Sequence, residues 1–188
     1  MLIACRVAPS ERDAWSIARQ NLRTSLTRAS QRDWPVELSF VDSIDALMEP
    51  KPDIAVISLL TELEGGSLVE VAERLRTGLH ALDGLGVAVF LCTVFRACDD
   101  PGRLERIRRL DLLAAQLSHE TGCGVIDFDR SFAHTGAKPL ETDYLMRGSN
   151  AARLAALTIF DALLSAGLDD AVPADVLQRA QQQTAVTP

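Results

Sequence analysis

The sequence predicts an α/β protein, a three-layer α/β/α sandwich in which helices cover both faces of a five-stranded parallel sheet. Apolar runs of strand length alternate with segments of helical periodicity along the chain. Some of these runs are almost uninterrupted, which is typical of strands buried on both faces. Helical segments between successive strands provide the crossovers that a parallel sheet requires.

Five segments have the character of strands. The third, Ile54–Leu60, is nearly continuous in apolar residues, whereas the second alternates apolar and polar side chains. Because crossovers between parallel strands are right-handed, we expect the flavodoxin-like strand order 2-1-3-4-5. The predicted strands are Leu2–Val7, Val36–Val41, Ile54–Leu60, Val87–Val94 and Val125–Phe128.

Helices are predicted between the strands from apolar residues three and four positions apart. The clearest start is Ser67, which with Glu70 three residues later forms a capping-box pattern. A short helix at Ile44–Met48, a charged helix at about Leu104–Glu120 and a last regular helix at Asn150–Leu164 complete the pattern.

A chain of 188 residues is long enough for one domain with a proper core. We assign this domain to residues 1–167 and treat residues 168–188 as a C-terminal tail, partly helical or disordered. The last eight residues, Gln181–Pro188, are mainly polar and have little to pack. We therefore expect removal of the residues after about Val172 to leave folding intact.

Composition excludes several classes of function. The net charge of −7 opposes binding to nucleic acid or to an anionic membrane. The apolar stretches are too short for a membrane span, and the first residues resemble a strand rather than a signal peptide, so we expect a cytoplasmic protein. The four cysteines lack metal-site spacing, and we predict no metal and no cofactor.

The carboxyl ends of the strands are where open parallel sheets bind ligands. Ser10 follows the first strand, and Asp143 lies in a loop that precedes the last helix. Both therefore belong to this edge of the sheet, although they are far apart in sequence.

This last loop, Asp143-Tyr-Leu-Met-Arg-Gly-Ser-Asn150, resembles the final motif of the SGNH (GDSL-like) hydrolases. In that family an Asp and a His three residues later complete a serine triad. The resemblance implies that Asp143 is the triad acid and that Ser10, in Ala8-Pro9-Ser10 instead of Gly-Asp-Ser, is the nucleophile. The position of the base is occupied by Met146, which cannot accept a proton.

Two other residues could replace the missing base. His134 is the one histidine in a loop that could reach the site, since His80 and His119 lie near the far ends of helices; it could equally be an ordinary surface residue. Glu62 follows the third strand, where the family has oxyanion donors. It is a general base, a cation ligand or a solvated loop residue. Ser10 itself could instead be a helix N-cap.

Further candidates line the same edge as ligand-binding residues. Arg96 could hold a carboxylate or phosphate, or pair with Asp99 or Asp100. Asp127 and Asp129 flank Phe128, and strand alternation would send their side chains to opposite faces. The remaining ligand-binding candidates are Arg147, Ser149 and Asn150.

Two functional hypotheses follow. The first is an SGNH-like domain with an incomplete triad that binds an acyl or anionic small molecule, with residual ester or acyl-transfer chemistry at Ser10. The second is a non-catalytic partner or scaffold protein in a biosynthetic or envelope-assembly system. A nucleotide-binding domain is disfavoured because no glycine-rich phosphate loop follows the first strand.

Overall fold

The computed structural model describes residues 1–185; Val186–Pro188, which belong to the predicted tail, lie outside the described residues. The strands are β1 (Leu2–Arg6), β2 (Glu37–Phe40), β3 (Ile54–Ser58), β4 (Ala88–Cys92) and β5 (Gly124–Ile126). The helices are α1 (Arg12–Ser30), α2 (Leu68–Gly84), α3 (Pro101–Thr121), α4 (Phe128–Thr135), α5 (Ala137–Leu140), α6 (Ser149–Ala166) and α7 (Ala174–Ala185). Three 3-10 turns span Pro9–Glu11, Asp45–Leu47 and Leu59–Glu62.

The five strands form one parallel sheet in the order β2-β1-β3-β4-β5, which confirms the predicted topology. Each pairing is parallel, and Cys5 of β1 lies between Phe40 of β2 and Val56 of β3. The reversal of strand order at β1 and β3 opens a crevice at their carboxyl ends. The fold therefore directs attention to the turns that follow these two strands.

Each face of the sheet has its own apolar core. The first core joins the sheet to α1, α4, α6 and α7, with Trp15, Phe128 and Phe132 as its largest buried side chains. The second core joins the sheet to α2 and α3 and contains Leu75, Leu79 and Leu117. The predicted capping box is confirmed, since Ser67 and Glu70 exchange hydrogen bonds at the start of α2.

The C-terminal segment packs more closely than the sequence analysis expected. Leu168, Val172, Val176, Leu177 and Ala180 are all buried in the same cluster as α1 and α6. Two side chains of α7 also reach backbone oxygens of these helices, through Arg179 Nε to Ala29 O at 2.9 Å and Gln181 Nε2 to Leu164 O at 2.8 Å. Residues 168–180 are therefore packed against the domain, and the expectation of little packing, which was made for Gln181–Pro188, does not extend to them.

None of the helices within residues 1–185 combines the length and apolarity needed to cross a bilayer.

Candidate functional site

Several of the residues that the sequence nominated lie in segments that follow the strands at the carboxyl edge of the sheet. Ser10 lies in the 3-10 turn that follows β1, and Glu62 ends the corresponding turn after β3. The loop that contains Asp143 docks on the segment after β4, where the Tyr144 amide donates to Ala97 O at 2.9 Å. The topology therefore brings together segments that are distant in sequence.

Within residues 1–185, Ser10 makes no side-chain hydrogen bond to a base. Its Oγ is buried, and within residues 1–185 it has no hydrogen-bond partner. A general base must lie within hydrogen-bond reach of the proton that it removes. Ser10 also does not cap α1, because the N-cap is Glu11 and makes no side-chain cap bond, so the alternative of a capping serine is wrong.

Glu11 is a buried carboxyl group that the sequence analysis missed. Its side chain is 2% exposed, accepts from the Ala8 amide at Oε2 (2.7 Å) and accepts from Ser58 Oγ at Oε1 (2.8 Å). The bond to Ala8 is half of a capping box, a pattern that is hard to recognise because Ala8 replaces the usual Ser or Thr. Glu11 thus links the turn after β1 to the end of β3.

Burial makes Glu11 an unusual acid. Loss of hydration raises its pKa to about 7, although the hydrogen bonds from Ser58 and Ala8 act in the opposite direction. The ionised carboxylate in turn adds to burial in raising the pKa of the Cys5 and Cys92 thiols. These two buried thiols are therefore poor nucleophiles.

Stability is expected to fall as the pH rises from about 4.5 to about 7. Below its ordinary value of 4.5 Glu11 is protonated in both the folded and the unfolded state, and above about 7 it is ionised in both. Between these values only the folded state keeps the proton, so rising pH favours unfolding, by up to about 3 kcal/mol for this group. Urea unfolding of the wild type at a series of pH values measures the effect.

Two matched variants test whether Glu11 causes this pH dependence of stability. Glu11→Gln should lose the Glu11 contribution, about half of this pH dependence, whereas Asp13→Asn, a change at an exposed acid two residues along the chain, should keep all of it. Asp111 contributes in the same direction, because burial raises its pKa to about 7 as well. Stability that stays constant or increases over this pH interval would contradict the assignment.

Met146 occupies the position at which the resemblance implies the triad histidine. It is 3% exposed and packs into the first core, with a left-handed backbone φ of 53°. Asp143 is exposed, and its Oδ1 accepts from the Leu145 amide at 2.9 Å. Its carboxylate thus organises the turn before α6, a local role that needs no histidine.

Within the described residues, no contact joins Ser10 to a histidine from another part of the chain. His134 is exposed in the last turn of α4, so the prediction that it lies in a loop is wrong. His80 and His119 are exposed near the C-terminal ends of α2 and α3, as predicted. Ser10 Oγ bonds to none of them within the described chain.

Glu62 forms a buried ionic cluster with two arginines. Its side chain is 1% exposed; Oε1 accepts from Arg6 Nη1 at 2.6 Å, and Oε2 accepts from Arg74 Nη2. Arg106 holds the same turn by donating to the backbone oxygens of Glu62, Gly65 and Gly66. Glu62 is thus not a solvated loop residue, and both of its carboxylate oxygens already accept from guanidinium groups.

Arg96 pairs with Asp129, and not with Asp99 or Asp100. The guanidinium Nε lies 2.7 Å from Oδ2, and the Arg96 amide donates to Oδ1 at 3.0 Å. The hydrogen bond between the Arg96 side chain and Asp129 raises the pKa of Arg96. Asp127 and Asp129 line the same cavity, contrary to the expectation from strand alternation, because β5 ends at Ile126 and Asp127 caps α4.

Arg96 and Asp143 line a common open cleft, the β4 cleft, with a volume of about 890 Å³. Other members are Arg103, Lys138 and Tyr144, and the Arg103 guanidinium lies 5.3 Å from the centre of the Tyr144 ring. Of the other predicted ligand-binding residues, Arg147, Ser149 and Asn150 are exposed before and at the start of α6, and none of them lines this cleft.

Comparison with known proteins agrees with this architecture. A lipase/acylhydrolase from Enterococcus faecalis has a TM-score of 0.64 at 18% identity, covering 86% of this chain and 94% of its own. The psychrotrophic esterase EstA from a Pseudoalteromonas species has a TM-score of 0.61 at 15% identity, covering 87% and 97%. The acetyl xylan esterase AlAXEase has a TM-score of 0.62 at 12% identity, covering 87% and 100%.

The chain has the SGNH-hydrolase fold. No protein-family model matches its sequence, and no curated protein matches it significantly. In this fold Ser10 lies after β1 and Asp143 lies before α6, and Met146 and the Glu62 cluster occupy the segments for which the resemblance implied a base and oxyanion donors.

Proposed function

We propose that this protein is a non-hydrolytic SGNH-fold domain that binds an acyl molecule with an anionic head group at the carboxyl edge of the sheet. The observation that carries the proposal is the buried Met146, which fills the position of the triad base. Fold alone does not define an activity, so the residues of the site decide it.

Loss of hydrolysis follows from two separate defects. Ser10 has no hydrogen-bonded base within residues 1–185, and an alcohol without a positioned base is a weak nucleophile. The Glu62 carboxylate also lies in the turn after β3, where developing negative charge on a substrate would need donors. The names of the structural neighbours, esterase and acylhydrolase, therefore suggest which class of ligand this protein binds, and say less about the reaction that it performs.

The β4 cleft supplies the groups for such a ligand. Arg96 and Arg103 present guanidinium groups that suit a carboxylate or phosphate, and the side chains are half and about one-third exposed. Ala97, Ala137 and the Tyr144 ring offer apolar surface for an acyl chain. Since Asp99, Asp100, Glu141 and Asp143 also line the cleft, binding of bare inorganic anions should be weak.

Octanoate is a suitable first probe for this proposal. We expect calorimetric binding to the wild type, and a loss of about tenfold in affinity in Arg103→Gln, the effect of one charge-assisted hydrogen bond. Arg109→Gln is the matched control, because Arg109 lies on the same helix, pairs with Glu105 and does not line the cleft. Absence of octanoate binding, or equal binding in all three proteins, would refute this site.

An apolar surface favours a second candidate function, that of a partner or scaffold protein. Val69 on α2 and Leu112 on α3 are 73% and 71% exposed, and both line an open groove between these helices. Large exposed apolar side chains that cluster are typical of protein interaction sites. Loss of a co-purifying partner in a Val69→Ser, Leu112→Ser double variant would support this function, and unchanged partners would count against it.

A further inference from the structure

A second cleft lies on the other side of the Glu62 cluster, between the segment after β2 and helix α2. This β2–α2 cleft has a volume of about 440 Å³, within the range of about 300–1,000 Å³ typical of small-ligand sites. Its walls carry charges of opposite sign. Arg6 and Arg74 lie on one wall, and Asp42 and Asp45 lie on the segment after β2.

Arg6 and Arg74, which form the arginine wall, are held in place by their contacts with Glu62. One buried carboxylate, Glu62, serves two guanidinium groups, which leaves the cluster with one net positive charge. Arg6 is only 14% exposed and also donates from Nη1 to Thr61 Oγ1 at 2.8 Å, so its orientation is fixed. A preorganised guanidinium loses little entropy when it binds an oxyanion.

The carboxylate wall is kept close to α2 by packing. A Cβ atom at Gly78 would lie 2.4 Å from Ile44 Cγ2, so the glycine allows the segment after β2 to contact the helix directly. Ile44 is flanked by Ser43 and Asp45, and Asp42 follows the end of β2. Glu73 also borders the cleft, but its carboxylate pairs with Arg76 Nη1 at 2.8 Å on the neighbouring turn.

From this arrangement we infer that the β2–α2 cleft binds a small zwitterion, of which a free α-amino acid is the simplest example. The ligand carboxylate meets Arg6 and Arg74, and its ammonium group meets Asp42 and Asp45. An apolar side chain of the ligand packs on Met48 and Ala81. A simple anion would be repelled by the two aspartates and a simple cation by the arginines. This inference is independent of the acyl site, because the two clefts share no lining residue.

Calorimetry with L-leucine and two analogues tests the inference. Isocaproate keeps the carboxylate and lacks the ammonium group, whereas isoamylamine keeps the ammonium group and lacks the carboxylate. We expect leucine to bind at least about tenfold more tightly than either analogue, because each analogue leaves one charged wall unpaired.

Two variants then test which wall of the cleft binds each charged group of the ligand. Arg74→Gln should weaken leucine about tenfold without weakening isoamylamine, and Asp42→Asn should weaken leucine without weakening isocaproate. Both side chains are substantially exposed, so the variants should fold, which circular dichroism verifies. Arg109→Gln, on α3 and outside the cleft, should bind leucine like the wild type. No binding of leucine, equal affinity for all three probes, or wild-type affinity in both wall variants would overturn the inference.

Discussion

Short-chain p-nitrophenyl esters and thioesters should show no enzymatic turnover with the wild-type protein. Removing or disabling one triad member typically costs about 10⁴-fold in rate, and removing an oxyanion donor costs about 10²–10³-fold. Both terms are impaired here, because Met146 cannot act as a base and Glu62 places a carboxylate in the turn after β3. The combined loss should bring the rate to that of the buffer.

Ser10→Ala and His134→Ala are the informative variants for this assay. If the wild type is inactive, both variants should be indistinguishable from it. Robust turnover that disappears in both variants would contradict the non-hydrolytic function. It would also require His134 to move from its exposed position on α4 to the side of Ser10.

Removing α7 should destabilise the protein substantially, which reverses the expectation from sequence. A chain that stops after Val172 loses the burial of Val176, Leu177 and Ala180 and uncovers apolar surface on α1 and α6. Each buried Val or Leu side chain is worth about 1.5–3 kcal/mol, so a net loss of about 3 kcal/mol is reasonable after the helix regains entropy. For a domain of this size the melting temperature should fall by about 10 °C.

Point variants separate loss of packing from a general effect of shortening the chain. Leu177→Ala should reproduce much of the destabilisation, since truncation of a buried Leu costs about 2–5 kcal/mol. Gln178→Ala, at an exposed position beside it, should have almost no effect. A truncated protein that melts at the wild-type temperature would show that α7 contributes nothing to stability.

The sheet was predictable because its signal is local and repeated. Uninterrupted apolar runs such as Ile54–Ser58 can be buried only between two layers, and helical segments between them leave few topologies. The tail was misjudged although Leu168, Val172 and Val176 recur every four residues, as one face of a helix requires. The polar run that follows concealed this pattern.

Ion pairs and hydrogen bonds between side chains were harder to predict than the fold. Glu62 was correctly placed after the third strand, but its two arginine partners come from β1 and α2, which only the folded topology brings together. Glu11 was overlooked because a carboxyl group next to a candidate nucleophile is normally exposed. Its burial depends on the contact with Ser58, 47 residues away in sequence.

The Arg6–Glu62–Arg74 cluster also has an evolutionary consequence. A histidine at position 146 would supply a base and still leave a carboxylate where oxyanion donors are needed. Replacing Glu62 alone would leave two guanidinium groups without their shared counterion, and breaking a buried ion pair typically costs about 3–5 kcal/mol. Under the proposed function, ester hydrolysis would therefore require changes both at position 146 and in the Glu62 cluster.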